Sequence, residues 1–185
     1  MTTEQDLIKQ AQQGDADAFE RLYELFYKPV YTYIFYRVGQ RPLAEDLTSD
    51  VFERMVTKID TWRPINGENG KPFIAWLYTI AGNLVRNHIK RDKHFEWLPL
   101  DERDSDDGES VMAQIGNLLQ KEQLAKALLE LTEDQRQIIF LRFINGQPIA
   151  TVAQIVGKTE TSIKALQRRA LIALRKALKT EGVHV

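Results

Sequence analysis

Apolar residues along the first half of the chain recur every three or four positions, which is the spacing of one face of an α-helix. The pattern predicts helices over residues 15–39, 43–60 and 73–91. An N-capping Asp15 and a terminal Gly39 bound the first helix, and Arg41-Pro42 predicts a turn before the second. Residues 63–72, which are rich in proline, glycine and asparagine, predict a loop before the third helix. The apolar stripes of the second and third helices are Leu47, Val51, Met55 and Ile59, and Phe73, Trp76, Leu77, Ile80 and Leu84.

The second half of the chain repeats this helical periodicity over shorter stretches. It predicts helices over residues 118–131, 133–143, 148–156 and 160–179, the second of them started by a capping box from Thr132 to Gln135. Asn145-Gly146 and Gly157 predict the turns between these helices. Residues 97–110 combine a proline, a glycine and a run of acids with little periodicity, which is typical of a linker. We therefore expect an all-α protein, with helical domains at residues 1–94 and 118–185 and an acidic linker at 95–117.

Composition excludes several classes of protein. The chain has 185 residues, of which 43% are hydrophobic and 28% charged, as in a folded domain rather than a disordered chain. It has no cysteine, so disulfides, thiolate zinc sites and thiol nucleophiles are excluded. No apolar run approaches the ~18 residues of a membrane span. The polar start, residues 1–13, does not match a secretory signal, and no long extension follows Ala177 that would predict a fused regulatory domain. We expect a cytoplasmic protein without direct membrane insertion.

The net charge of −1 hides a segregation of charge along the chain. Residues 1–94 are neutral overall, residues 95–120 carry a net −6, and residues 121–185 carry a net +5. Within these segments, residues 71–94 carry +4 and residues 157–180 carry +6. Two basic stretches on either side of an acidic one favour contact with nucleic acid, although a single basic helix is more often simply solvated.

The two final predicted helices have the pattern of a helix-turn-helix. The first buries one apolar face, Gly157 provides the left-handed turn, and the second buries Ile163 and Ala170. The opposite side of the second helix carries polar and basic residues that would face a major groove. An ordinary helical hairpin shares this pattern, and the charge of the helix favours the DNA-binding interpretation.

A face of the third predicted helix carries Asn83 and Asn87, followed by Lys90 and Arg91 at helical spacing. Asparagine side chains pair with base edges and basic residues hold phosphates, so this face suits a single strand of nucleic acid. The preceding loop could accommodate an unstacked base. Taken alone this pattern is weak, because the nearby tyrosines and tryptophans are more often core residues than stacking platforms.

Four segments in register resemble the bacterial extracytoplasmic-function (ECF, group IV) sigma factors of the sigma-70 family. They are GDADAF at residues 14–19, AEDLTSDVF at 44–52, FIAWLYTIAGN at 73–83, and the stretch from LTEDQR at 131–136 to Arg175. The resemblance implies a non-catalytic promoter-specificity subunit without a cofactor or metal. It implies sigma2-like and sigma4-like domains that bind core RNA polymerase at its β′ clamp and β flap and bind promoter DNA as duplex and single strand. An anti-sigma factor is a further partner of this kind of protein.

The resemblance also assigns the binding residues. The polymerase-facing helix carries Glu45, Asp46, Ser49, Asp50, Glu53 and Arg54. The melted −10 strand would be bound by Asn66, Asn69, Lys71, Asn83, Arg86, Asn87, Lys90 and Arg91. The −35 duplex would be bound by Thr159, Glu160, Thr161, Lys164, Gln167 and Arg168.

The sequence departs from the family pattern at a few positions. Thr79 and Gly82 stand where arginines are usual, which predicts weaker contacts to the DNA backbone and, at Gly82, a helix cost of about 1 kcal/mol relative to alanine. Ser49 replaces a common glutamine, and Pro148 stands where a hydroxyl cap is usual.

Two other classes of function remain open at this point. A stand-alone helix-turn-helix regulator would explain the C-terminal half but gives no role to the acidic polymerase-facing helix. An enzyme is disfavoured, because the three histidines show no metal-ligand spacing with carboxylates and no glycine-rich phosphate loop is present.

Overall fold

The structure is a computed structural model that describes residues 3–63, 72–92 and 118–180. Every regular element in these residues is helical, which confirms the all-α prediction. The elements are α1 Glu4–Gln12, α2 Ala16–Val38, α3 Arg41–Lys58, a 3-10 turn Ile59–Thr61, α4 Phe73–Arg91, α5 Leu118–Leu129, α6 Glu133–Ile139, a π-helical turn Phe140–Ile144, α7 Ile149–Val156 and α8 Glu160–Thr180. The predicted linker at 95–117 and the loop residues Asn66, Asn69 and Lys71 lie outside the described residues.

Local sequence signals fix most of the helix ends. The Asp15 carboxylate accepts a hydrogen bond from the Ala18 backbone N–H at 3.1 Å, and α2 ends at Gly39 with φ +70°. The predicted capping box is present at the start of α6, where the Gln135 N–H donates to the Thr132 hydroxyl at 3.3 Å. Gly157 has φ +71°, which turns the chain between α7 and α8.

Two expectations for the first half of the chain are corrected. Arg41-Pro42, predicted as a turn, forms the first residues of α3, where a proline is tolerated because first-turn N–H groups have no partner within the helix. Helix α1 was not predicted. Its start is a capping box between Thr3 and Asp6, whose carboxylate accepts from the Thr3 N–H at 3.0 Å, and it buries Leu7 and Ile8.

Helices α1 to α4 pack around one apolar core. Leu22, Val30 and Ile34 of α2 are fully buried, and they meet Val51 of α3 and Leu77 of α4. The stripe predicted for α3 is confirmed, since Leu47, Val51, Met55 and Ile59 are all buried. Removing these side chains from water provides the main stabilisation of this half.

Helices α5 to α8 form the second half, which packs directly on the first. A small cluster of Leu128, Leu131, Ile139, Phe140 and Ala170 lies inside this half. Other apolar residues of the same half belong to the core of the first, and helix α7 contacts α4. They are Ile138, Leu141, Val152, Ala153, Ile155 and Ile163. The two predicted helical halves are therefore in contact and share a continuous core.

Candidate nucleic-acid interface

Helix α3 separates a buried apolar face from an exposed polar face. All the residues assigned to polymerase binding lie on the exposed face, namely Glu45, Asp46, Ser49, Asp50, Glu53 and Arg54. The Arg41 guanidinium donates to the Glu45 carboxylate at 3.0 Å, an exposed ion pair at the start of the face. The carboxylates of Asp46 and Asp50 follow one turn apart, so this rigid helix presents an acidic surface to solvent.

Helix α4 has the same bounds as its prediction, residues 73–91. Asn83, Asn87, Lys90 and Arg91 are exposed, and they lie opposite the buried stripe that contains Phe73 and Leu77. Arg86 is half-buried, and its guanidinium donates to the Asn83 side-chain oxygen at 3.3 Å. Amide and basic groups therefore lie together on one solvent-facing side of α4.

Helix α8 begins where a helix-turn-helix requires. The Thr159 hydroxyl accepts from the Ser162 backbone N–H at 3.2 Å, which caps the helix next to the turn at Gly157. Glu160, Thr161, Lys164 and Arg168 are exposed along the first turns. An open groove between α7 and the start of α8 lies beside them and is lined by Gly157, Lys158, Glu160 and Arg169, among others.

Gln167 differs from its predicted neighbours, because it is half-buried and bonded within the protein. Its side-chain oxygen accepts from the Arg142 Nε at 3.0 Å, and Arg142 also donates to the Gln147 carbonyl. Arg142 lies in the π-helical turn before α7, a connection that no sequence spacing indicated. The Arg142 guanidinium therefore connects that turn to α8 through hydrogen bonds and helps to orient the exposed face of α8.

A buried polar cluster joins the two halves of the chain. Arg37 is wholly buried, and its guanidinium donates to the Tyr33 hydroxyl at 2.6 Å and pairs with the Glu133 carboxylate. The Gln137 side-chain N–H₂ donates to the same Tyr33 oxygen at 2.9 Å. Nearby, the Asn145 side-chain N–H₂ donates to the Tyr78 hydroxyl at 3.0 Å. We call this set, Tyr33, Arg37, Tyr78, Glu133, Gln137 and Asn145, the polar latch.

Gly82 lies against the polar latch. A Cβ at this position would lie 3.1 Å from the Tyr33 hydroxyl oxygen and 3.4 Å from both Arg37 Nη1 and Gln137 Nε2. The glycine therefore has a packing role at this contact, and the expectation of weaker contacts to the DNA backbone stays a prediction. The position is buried at the contact between the halves, and the missing side chain lets α4, α2 and α6 approach each other.

Burial also changes the titration of groups at this contact. Loss of hydration lowers the pKa of Arg37, because the charged form loses more on burial than the neutral one. Burial, with a smaller contribution from the Arg37 charge, lowers the pKa of Arg136 to about 10. Arg136 donates to the Leu131 carbonyl at 2.8 Å. Burial raises the pKa of the Tyr78 phenol above its usual range. At neutral pH Tyr78 is therefore a neutral hydrogen-bonding group and Arg136 a cation.

Residues 3–63, 72–92 and 118–180 contain no group of three or more histidine, aspartate or glutamate side chains placed to hold a metal ion. No helix in those segments combines the length and the apolar character that crossing a membrane requires.

Two family matches cover the two halves of the chain. Sigma-70 region 2 matches residues 22–95, which include α3 and α4. Sigma-70 region 4 matches residues 121–174, which include the helix-turn-helix.

Proteins that are similar to this chain in sequence are named ECF RNA polymerase sigma factors. The ECF RNA polymerase sigma factor BldN of Streptomyces coelicolor is 38% identical over 183 residues, which cover 96% of this chain and 66% of BldN. The ECF RNA polymerase sigma factor SigX of Bacillus subtilis is 27% identical over 172 residues, covering 88% of this chain and 84% of SigX.

Solved structures share the fold. CnrH, in complex with the cytosolic domain of CnrY, superposes with a TM-score of 0.70 at 21% identity, covering 94% of this chain and 96% of CnrH. RpoE from Bartonella quintana, in complex with the anti-sigma factor NepR, superposes with a TM-score of 0.67 at 24% identity, covering 87% and 96%. With sigma-70 regions 2 and 4 in order and ECF relatives along the chain, the protein belongs to the sigma-70 family, among its extracytoplasmic-function RNA polymerase sigma factors.

Proposed function

We propose that this sigma factor has three exposed binding surfaces. One binds core RNA polymerase, one binds the melted −10 strand and one binds the −35 duplex. The observation that carries this proposal is the placement of an acidic face on α3 and an amide-and-basic face on α4 within one four-helix core. A protein that docks on polymerase and receives the separated strand beside it needs these two faces fixed relative to each other.

The acidic face of α3 is the surface for the β′ clamp. Its carboxylates stand on the outer side of a helix whose inner side is locked by Leu47 and Val51, so docking requires no rearrangement of the helix. The residues assigned to this contact are Glu45, Asp46, Ser49, Asp50, Glu53 and Arg54. The β flap binds the C-terminal half.

The amide-and-basic face of α4 is the surface for the melted −10 strand. Asn83 and Asn87 are exposed and offer both a donor and an acceptor to a base edge, while Lys90 and Arg91 extend toward the strand's phosphates. Arg86, bonded to Asn83, supports the first of these amides. We also assign Asn66, Asn69 and Lys71 of the preceding loop to this strand.

The start of α8 is the surface for the −35 duplex. Lys164 and Arg168 lie one turn apart on the exposed side and suit phosphate or guanine contacts, with Thr159, Glu160 and Thr161 at the helix start. Gln167 has its oxygen engaged by Arg142, so its remaining N–H groups are what it offers to DNA.

Each segment of the chain then has a role, and the protein has a place of action and partners. Residues 1–94 would be the polymerase-docking and −10 domain, 95–117 an acidic linker, and 118–185 the −35 domain. The protein would act in the cytoplasm, where the transcription machinery is, and would catalyse no reaction itself. RpoE, which shares the fold, is held by an anti-sigma factor, and we propose a partner of that class for this chain.

A stand-alone helix-turn-helix regulator is the second candidate, because α7 and α8 alone would satisfy it. It would bind duplex DNA tightly without polymerase, commonly as a symmetric dimer on a palindromic site. The acidic face of α3 would then have no function.

Co-elution with bacterial core RNA polymerase tests the proposal. We expect the wild-type chain to co-elute on size exclusion and the Asp46→Arg/Asp50→Arg variant to lose this property. The matched control is Glu20→Arg/Glu24→Arg, which reverses two exposed acids at the same spacing on α2 and should co-elute normally. Equal co-elution of both variants would contradict the docking assignment, and tight duplex binding by a wild-type chain that never co-elutes would favour the regulator.

A further inference from the structure

The exposed face of α8 has an alanine at its centre. Ala165 is exposed and lies two residues after Ile163, which is fully buried. Because each residue turns an α-helix by about 100°, Ala165 lies on the opposite side of α8 from Ile163. Thr161 lies one turn before Ala165 and Arg168 one turn after it, and both are exposed on the same side. Ala165 therefore lies among residues assigned to the −35 duplex, although the resemblance to sigma factors did not include it.

Ala165 is the apolar member of this face. Within the described residues 160–169, the other exposed side chains are polar or charged. The alanine side chain is a single methyl group attached directly to the backbone, so the backbone of α8 can approach a base edge most closely at this position. Ala165 also lines the open groove between α7 and the start of α8, where its methyl group is exposed to solvent. An apolar group is thus available to DNA in the middle of the face.

The major groove contains one apolar group that suits such a surface. Each base pair presents a different pattern there, and thymine adds a C5-methyl group, which alanine and the methyl group of threonine contact. Thr161, one turn away, supplies a second methyl group on the same side of α8. Contact between these methyl groups removes apolar surface from water, whereas a polar base edge facing alanine would lose hydration without gaining a hydrogen bond.

The internal bond of Gln167 also favours an apolar contact. A glutamine side chain reads adenine by using its amide oxygen and nitrogen together. The Gln167 oxygen instead accepts from the Arg142 Nε at 3.0 Å, and because that nitrogen only donates, the bond determines which end of the amide faces Arg142. Recognition of adenine by Gln167 would require this bond to break. Recognition of an A·T pair by this part of α8 is then left to the methyl group of the thymine.

We propose that Ala165 is a specificity-determining residue whose methyl group contacts the C5-methyl group of a thymine in the −35 duplex. This inference rests on the proposed function, since α8 must enter the major groove for the contact to form. Lys164 and Arg168 hold phosphates or guanine on either side, and Ala165 selects an A·T pair between them. Removing the thymine methyl group should weaken binding about fourfold, the effect expected for one buried group of this size.

Selection from randomised DNA tests the proposal without a known promoter. RNA polymerase carrying the wild-type chain is mixed with two pools of randomised duplexes, one made with thymine and the other with uracil in its place. Uracil differs from thymine only by the missing methyl group, so the two pools present the same hydrogen-bonding groups. We expect the bound thymine duplexes to share an A·T pair at one position of the −35 element. The uracil pool should lose this preference and keep the preferences at other positions.

Two variants assign the methyl contact to a residue. Ala165→Gly removes the alanine methyl group and should bind the thymine and uracil forms of a selected duplex with nearly equal affinity. Ala173→Gly is the matched control, because it places glycine in the same helix at a half-buried position on another side, and it should keep the preference for thymine. Each variant is compared with itself on two duplexes by fluorescence anisotropy. The cost of glycine in a helix therefore cancels from the ratio of the two affinities.

The outcomes separate this inference from the proposed function. If the wild-type complex selects a −35 sequence in which no position depends on the methyl group, the contact is absent while the proposed function stands. A preference for thymine that persists in Ala165→Gly, or that is lost equally in Ala173→Gly, would also overturn the role of Ala165. If the chain co-elutes with polymerase but the complex selects no −35 sequence, the assignment of α8 to the −35 duplex fails, and the contact of Ala165 fails with it.

Discussion

The wholly buried guanidinium of Arg37 in α2 pairs with the carboxylate of Glu133, the first residue of α6 in the other half of the chain. Arg37 brings a full positive charge into a place with little access to water, and Glu133, about a quarter exposed, supplies the negative charge. The pair therefore links the stability of the first half to the position of the second.

A double-mutant cycle measures this link. We expect Glu133→Gln to lower the free energy of unfolding by about 1–3 kcal/mol, because a buried charge loses its ionic partner. Arg37→Met should also destabilise, and the double variant should be less destabilised than the sum of the two, with a coupling of about 0.5–3 kcal/mol. Chemical denaturation followed by circular dichroism checks this. Additivity within about 0.5 kcal/mol would show that the pair contributes nothing.

Gly82 provides a prediction about packing. Gly82→Leu should destabilise the folded protein by about 1–3 kcal/mol, since its side chain enters space beside the Tyr33 hydroxyl and Gln137, although leucine favours helix more than glycine. Thr57→Leu on the exposed side of α3 is the control and should change stability little. Thermal unfolding compares the two. A stabilised Gly82→Leu would mean that helix propensity outweighs the close contact.

Gln12 of α1 forms hydrogen bonds to the segment that follows α3. Its side-chain N–H₂ donates to the carbonyls of Ile59 and Trp62, both at 2.9 Å, just before the loop assigned to the −10 strand. Gln12→Leu should cost about 0.5–1.5 kcal/mol, because each carbonyl loses one of its two donors. The Ile59 carbonyl keeps the Trp62 N–H and the Trp62 carbonyl keeps the Arg63 guanidinium. Gln10→Leu on the exposed side of α1 should be near neutral. Hydrogen exchange around residues 59–62 would localise the effect, and equal protection in both variants would contradict it.

The face of α8 predicts a dependence on salt. Lys164→Ala and Arg168→Ala should each weaken binding of the polymerase complex to duplex promoter DNA, and each lost phosphate contact should reduce the slope of log affinity against log salt by about 0.9. Lys179→Ala is the control, an exposed cation at the far end of the same helix. Fluorescence anisotropy over a salt series gives the slopes. Similar losses from all three variants would indicate a general charge effect rather than a defined face.

The amides of α4 predict a defect specific to the single strand. Asn83→Ala/Asn87→Ala should weaken binding of the polymerase complex to a single-stranded −10 oligonucleotide by about tenfold or more, while co-elution with polymerase is retained. Gln13→Ala removes an exposed amide at the end of α1, away from the α4 face, and should leave strand binding unchanged. Loss of co-elution in the asparagine variant would place these residues in docking instead.

Short-range patterns in the sequence are sufficient to predict the helices but not their mutual packing. Helix α4 matches its prediction because 19 residues with a regular apolar stripe leave little choice of structure. The role of Gly82 is missed because a glycine within a helix indicates only a local cost. Its reason lies in Gln137, which no spacing connects to it. The internal bond of Gln167 is missed for the same reason, since its partner Arg142 lies in another element.

The start of the N-terminal helix is encoded by a local sequence signal. Thr3 and Asp6 have the spacing of a capping box, with aspartate in the place of the usual glutamate. The polar appearance of this segment hides an amphipathic helix of nine residues. Its buried residues, Leu7, Ile8 and Ala11, recur at helical spacing and are the signal that predicts it.

The π-helical turn at Phe140–Ile144 makes the second half sensitive to chain length. Within it the Asn145 N–H bonds to the Phe140 carbonyl at 2.8 Å, five residues back rather than four. Each residue of an ordinary helix rotates the rest of the chain by about 100° around the helix axis. Deleting a single residue here would place the Asn145 N–H four residues after Phe140, so the same bond would close an ordinary α-helical turn. An added residue has no such alternative, and it would displace Asn145 from Tyr78 and rotate α7 and α8 together.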